Sequence, residues 1–256
     1  MRKVLLWIIA FIFTIALAAY QRITGPTYPK HVKIDGKTYR LPRSGTSGQD
    51  ACIKLPYTGK ILYRHHGTRE KLKEIPLKME GKWAKGCLPT EPPAGKLDYE
   101  VVLNMGGKQV PITKNMVTIR FKGRVPPLVL ILHILVIFSA MLLATRTMLA
   151  ALYREPLRGY VLWTFYFFLA GAFLLGPIVQ KFAFGVFWSG FPFGIDLTDN
   201  KSLIALLAWL YPYIKALKGK VTRKSVFVAW AIMLIIFLIP HSLLGSELKY
   251  TNSSQG

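Results

Sequence analysis

Acidic residues are scarce in this chain: 12 Asp and Glu stand against 34 Lys and Arg in 256 residues, a formal charge of +22. A hydrolase working through paired carboxylates has little to draw on, and in residues 21–125 the carboxylates are heavily outnumbered, since most of the Lys and Arg lie there. Cysteine is scarcer still. Cys52 and Cys87 are the only two, in neither a C-x-x-C nor a C-x-x-C-H arrangement, so thioredoxin-type exchange and covalent c-type haem find no support. No Gly-rich phosphate loop, G-x-S-x-G, H-E-x-x-H or S-x-x-K occurs in a fitting context. These absences leave no reaction that can be named from the residues, and they argue against an enzyme.

Apolar residues are abundant, at 52% of the chain, and they are segregated. They fill Val4–Tyr20 and four blocks after Pro126, while residues 21–125 have the composition of an ordinary folded domain. The opening MRKVLLWIIAFIFTIALAAY pairs a basic start (Arg2, Lys3) with an unbroken apolar run. Ala16-Leu17-Ala18 satisfies the small-x-small pattern of a cleavable signal peptide, and the same run can stay as a short anchor. Residues 1–20 are expected to be a signal-anchor helix. In either case the domain that follows is exported, where two cysteines point to one disulfide rather than two unrelated buried thiols.

Residues 21–125 read as all-β. HVKIDGKTYRL (His31–Leu41) is two alternating strands around Asp35-Gly36, a strong short-range hairpin signal. Further strands are expected at Cys52–Leu55, Lys60–His65, Ile75–Met79, Leu97–Leu103, Gln109–Thr113 and Val117–Phe121, with Gly106-Gly107 turning the last hairpin. That rhythm suggests a β-sandwich. In PAGKLDYEV (Pro93–Val101) a loop runs into a strand with Tyr99 near its start. This segment resembles the tyrosine corner of immunoglobulin-like and fibronectin-like sandwiches, and the resemblance implies a Tyr hydroxyl bonded to a backbone group at the bend. Val101 stands where the usual second Cys would be, so the resemblance implies that any disulfide here is not the usual inter-sheet one.

Pro126-Pro127 separates this domain from a membrane block over 126–248, followed by a polar tail at 249–256. Helices are expected at Leu128–Ala150, Tyr160–Ile178, Leu203–Leu217 and Val226–Ile239, the third carrying Pro212. The connection Arg146–Arg158 holds three Arg against Glu155, and Lys215–Lys224 holds five basic residues and no acid. The remaining connection, Gly176–Ser202, balances Lys181 and Lys201 against Asp196 and Asp199. By the positive-inside rule the basic loops and Met1 face the cytoplasm. The sandwich, the Gly/aromatic-rich loop and the C-terminus then face outside.

The outer side collects the unusual side chains. His133 lies roughly 10 Å below the outer surface at the rise of a helix, and His241 follows Pro240 at the outer end of the last helix. The pair could ligate haem b or another metal, with Gln180 and Trp188 at the same level to line a haem or quinone site. The simpler alternative is that each His donates to a backbone carbonyl or a carboxylate. Asp196, Thr198, Asp199 and Asn200, with Glu247, could supply oxygens to Ca²⁺ or another hard cation, or Thr198, Asp199 or Ser202 could cap the helix expected from Leu203. FAFGVFWSGFPF (Phe182–Phe193) suits an interfacial segment that packs on lipid, quinone or a subunit. His65-His66 point to opposite faces of a strand and read as surface residues.

The expectation is therefore a membrane α-helical bundle plus an exported all-β domain in a bacterial cytoplasmic (inner) membrane. An accessory, scaffold or binding subunit of a larger complex fits best, with the bilayer and a protein as partners and no nucleic acid. A redox subunit holding haem b or quinone comes next. A small transporter or channel comes third, because the helix interiors lack polar relays apart from His133.

Overall fold

A computed structural model describes residues Met1–Pro240, Leu243, Gly245–Leu248 and Tyr250. The chain forms two units: a helical one from Met1–Pro26 with Val125–Gly245, and a β unit from Thr27–Arg124 with the tail from Ser246.

In the helical unit, α1 (Arg2–Thr24) buries one stripe, Leu6, Ala10, Thr14 and Leu17, spaced as one face of a helix. The Thr14 hydroxyl donates to the Ala10 carbonyl at 2.8 Å, so no polar atom of that stripe is left over. α2 (Pro127–Leu152) starts with proline at its first position, where the missing N–H costs nothing. A rod over Arg158–Phe184 follows, made of α3 (Arg158–Phe168), a π-helical segment (Leu169–Leu175) and α4 (Gly176–Phe184). Then come α5 (Leu197–Leu217) and α6 (Arg223–Leu238). Among the described residues, three helices are long and apolar enough to cross a membrane: α1, α2 and the Arg158–Phe184 rod. Leu17, Ala144, Phe168, Trp209 and Met233 belong to one core drawn from α1, α2, α3, α5 and α6.

The rod corrects an expectation. The helix was expected to end at Ile178, yet it continues to Phe184. The π segment explains why. Pro177 has no N–H to give, and its ring crowds the carbonyl four residues back. Widening the preceding turn, with Gly176 N–H donating to Gly171 O, relieves that clash without ending the helix. Gly185 then stops it, in the left-handed region at φ 83°.

The β unit opens with a hairpin of β1 (Lys30–Ile34) and β2 (Lys37–Leu41). Asp35 and Gly36 both have positive φ, 49° and 74°, the backbone of a tight hairpin turn that matches strand twist. Seven further strands form one hydrogen-bonded path, β3 (Ser44–Thr46), β10 (Val117–Lys122), β8 (Lys96–Met105), β5 (Gly59–His65), β6 (Lys73–Glu80), β7 (Trp83–Leu88) and β4 (Ala51–Leu55), with β9 (Lys108–Pro111) on β8. β3 runs parallel to β10; the other pairs are antiparallel. β6 serves two neighbours, pairing β5 through Lys73–Leu77 and β7 through Lys78–Glu80. One core takes Ile53, Leu55 and Leu88 from the β4–β7 end and Ile61, Leu97, Tyr99 and Phe121 from the other. Cys52 and Cys87, directly opposed on β4 and β7, form a disulfide.

Tyr99 is fully buried, and its hydroxyl donates to the Pro42 carbonyl at 2.8 Å. The bonded backbone group thus belongs to the β2–β3 connection rather than to the bend beside Tyr99. Burial pushes this phenol above its ordinary pKa of 10.0.

Candidate functional site

Around the connection between α4 and α5 the structure knits three of the sequence candidates, Gln180, Asp196 and Asp199, together through Ser189. Asp196 is the N-cap of α5, its Oδ1 accepting from Thr198 N at 2.8 Å. Asp199, in the first turn, accepts from Ser189 N at 2.7 Å through Oδ2. The Ser189 hydroxyl touches Asp196 Oδ2 at 3.2 Å and Asp199 Oδ2 at 3.1 Å, and accepts from Gln180 Nε2 at 2.8 Å. Asn200 Oδ1 accepts from Phe191 N at 2.7 Å. Gln180, Asp196 and Asp199 are all buried. Two buried carboxylates are tolerated here because backbone and hydroxyl donors converge on them and the α5 N-terminus carries a partial positive charge.

Gly190 is required by this knot. A Cβ built there would lie 2.7 Å from Asn200 Oδ1 and 2.8 Å from Asp199 Cβ. Lys201, one turn into α5 and buried, completes the arrangement by donating to the Ile239 and Pro240 carbonyls. Carboxylates thus sit at the N-terminus of α5 and an ammonium at the C-terminal end of α6, each complementing a helix dipole. Chemically, the cluster ties helix ends together. Among the described residues no group of three or more His, Cys, Asp or Glu side chains is placed to hold a metal ion.

The other candidates are dispersed. Trp188 Nε1 donates to Phe191 O at 3.1 Å, and its ring centre lies 5.3 Å from that of Phe173. His133, on α2, faces the π segment: its Cε1 lies near Gly176, and its Nδ1 is buried with no partner among the described residues. His241 lies outside the described residues. Phe191, Phe193 and Ile195 are 70%, 82% and 80% exposed, an apolar tip on this loop.

Glu247 belongs to the β unit, in a cluster that sequence reasoning missed. Its Oε2 accepts from Lys96 Nζ at 2.6 Å, and its Oε1 lies 3.8 Å from His66 Nε2. His66 Nδ1 contacts Asp98 Oδ1 at 2.8 Å; His65 contacts Glu70 at 2.8 Å and Glu91 at 3.4 Å. Tyr250 stacks on His65 with ring centres 4.3 Å apart, donates to Glu91 Oε2 at 2.7 Å and accepts from Lys96 N at 3.2 Å. Arg120 Nη2 donates to Ser246 O at 2.5 Å, and Leu248 N to Ala94 O at 3.1 Å. The His pair is therefore half-buried under the tail rather than on open surface. Burial, then the Glu91 carboxylate, raise the Tyr250 phenol pKa, while the bond from His65 holds Glu70 below the usual carboxylate range. Tyr250, an aromatic in an otherwise polar tail, was the available signal.

Arg146, inside the expected helix Leu128–Ala150, was also counted as a charge of the connection that follows. It lies inside α2, fully buried, with Nη2 donating to the buried Glu155 Oε2 at 2.6 Å. Its guanidinium stands 4.6 Å from the Tyr160 ring centre and 5.6 Å from that of Trp7. Of the three Arg counted in the α2–α3 connection, this one is neutralised inside the bundle.

No protein-family model, characterised protein or solved structure matches the chain.

Proposed function

We propose that this chain is an integral membrane accessory or binding subunit, whose β unit lies outside the cytoplasm and engages a partner. One observation carries the reading: the charges of the helical core are spent on the fold, whereas the β unit displays its lysines outward. Arg146, Glu155, Asp196, Asp199 and Lys201 all hold intramolecular partners, which leaves the β unit as the part equipped for recognition.

Four crossings after the β unit are supported by parity. The described tail folds with the β unit, so the chain returns to the side it left, and the number of crossings between is even. α2 and the Arg158–Phe184 rod supply two; α5 and α6 share the same core and add two. The connection of Lys218, Lys220, Arg223 and Lys224 favours the cytoplasm for that side of α5 and α6, in a bacterial inner membrane. Retention of α1 is supported by its burial against the bundle, including Gln21 Nε2 donating to Phe237 O at 2.7 Å. For the β unit, the strand order, the shared strand β6 and the single core favour an immunoglobulin-like sandwich with β4, β7 and β6 facing β5, β8 and β10.

The test is purification from native membranes in mild detergent, comparing the full chain with one in which residues 27–124 are replaced by a flexible linker. A partner retained only by the full chain is the expected result; identical composition of the two preparations would overturn the reading. The His133 Nδ1, buried without a partner among the described residues, favours a second reading, a redox subunit with haem b or quinone near that residue. A reducible Soret band in the purified protein, lost in His133→Ala, is the outcome that would establish its haem form.

A further inference from the structure

Alternation along β4, β6 and β7 turns Ile53, Leu55, Leu77, Ala84 and Leu88 into the core. Their neighbours therefore point away from it. In register, Lys78 of β6 stands opposite Lys85 of β7, and Lys85 opposite Lys54 of β4. Three ammonium side chains thus line up across three adjacent strands, at a strand spacing of about 4.8 Å. Like charges placed directly opposite one another destabilise a sheet. Among the described residues the row has one acidic contact, Glu80 at 3.3 Å from Lys85.

Two residues before Lys85 on the same strand, and so on the same face, is Trp83. It is 45% exposed, and its ring stands edge-on to Tyr39 with centres 6.2 Å apart. The fold gains little from a repelling lysine row beside a half-exposed indole. Both are explained by a ligand that brings regularly spaced negative charge together with an apolar ring face.

We propose that this face binds a linear anionic glycan. Lys54, Lys85 and Lys78 take successive acidic groups, and the Trp83–Tyr39 pair lies against a sugar ring. The lysines fit because an ammonium is a compact point charge that accepts carboxylate, sulfate or phosphate without a fixed geometry. The aromatic pair separates a glycan from a polyanion without rings. This inference rests on the binding-subunit reading and deepens it by naming the class of ligand.

The test uses the full chain in a neutral detergent and labelled heparin oligosaccharide as the probe, followed by fluorescence anisotropy over a range of salt. Sodium polyphosphate and poly-L-glutamate serve as the ring-free and peptide polyanions. Binding of heparin should weaken at least tenfold in K54Q/K78Q/K85Q, and its salt dependence should flatten because fewer counterions are released. The control K108Q/K114Q, elsewhere on the β unit, should bind as the parent chain does. Trp83→Ala should weaken heparin several-fold and leave polyphosphate unchanged. Unaltered heparin binding in the triple variant, equal affinity for all three polyanions, or no heparin binding at low salt would each overturn the glycan assignment. None of these would bear on co-purification of a protein partner, so the two readings fail separately.

Discussion

The two units handle charge in opposite ways. The helical unit has few ionisable groups in its interior and buries them in contact with one another or with helix ends: Arg146 on Glu155, Asp196 and Asp199 on the α5 N-terminus, Lys201 on the α6 C-terminus. The β unit is crowded with charge and, Arg120 apart, keeps it at the surface or half-covered, as in the row Lys78–Lys85–Lys54 and the cluster under Tyr250. Buried charge is costly unless paired, so charge in the helical unit is structural by necessity. Surface charge costs little, so in the β unit it is free to serve recognition. Mutations should therefore damage folding in the first unit and leave it largely intact in the second.

The largest effect should come from Arg146. Arg146→Ala strands a buried Glu155 carboxylate and removes the cation that Trp7 and Tyr160 flank. A loss of about 3–5 kcal/mol is expected, read as the unfolding midpoint in detergent. Replacing both partners, R146L/E155L, should recover most of it. If the double variant is as unstable as Arg146→Ala, the pair acts by something other than mutual neutralisation.

Next is Asp199→Ala, which deprives the half-buried Ser189 N–H of its acceptor at a cost of about 1–3 kcal/mol. Asp199→Asn keeps an oxygen in place and should lose less, which distinguishes a hydrogen-bonding role from a charge–dipole one. Gly190→Ala should be comparably harmful, because a Cβ there would collide with Asp199 and Asn200. Equal stability of Asp199→Ala and the parent would break the contrast at its second point.

How legible all this was in the sequence follows from the range of the interactions. The apolar helices and the two hairpin turns are local, so Asp35-Gly36 and the hydrophobic runs announced them. β7 was missed because Gly86 interrupts its pattern. The reason lies across the fold, where a Cβ would meet Leu77 Cδ2 at 3.0 Å and Ile61 Cδ1 at 3.1 Å. The continuation of helix from Ile178 to Phe184 was missed, and so was the π turn that carries it past Pro177, because a π turn leaves no composition signal. At the α4–α5 connection, capping by a nearby oxygen was legible from residue type and short spacing, although Asp196 supplies the cap where Thr198, Asp199 or Ser202 was expected. Contacts joining residues 65 and 250, or 7 and 146, were beyond reach, since no local pattern specifies them.

In the β unit the expected effects shrink. Tyr250→Phe removes one hydroxyl that bridges Glu91 and Lys96 N, worth about 1 kcal/mol. Because the folded state raises this phenol's pKa, the proton is held more tightly in the native protein. The associated stability is present below the ordinary phenol value and is lost as pH rises past it. Thermal unfolding of the parent chain should therefore worsen more steeply above pH 10 than that of Tyr250→Phe. Identical alkaline profiles would show that the tail does not stay on the β unit.

Lys85→Gln should give the smallest effect, and of opposite sign. Two terms compete. The substitution removes the contact with Glu80, an exposed pair of the kind that contributes little. It also relieves two like-charge oppositions, with Lys54 and with Lys78, each of the order of a few tenths of a kcal/mol. The second term wins, and a gain of about 0.5 kcal/mol or less is expected in thermal unfolding at low salt, vanishing as salt screens the row. A lysine whose removal stabilises the fold is retained for something other than the fold. A clear loss of stability in Lys85→Gln would instead make the row a structural element, and the contrast between the two units would no longer hold.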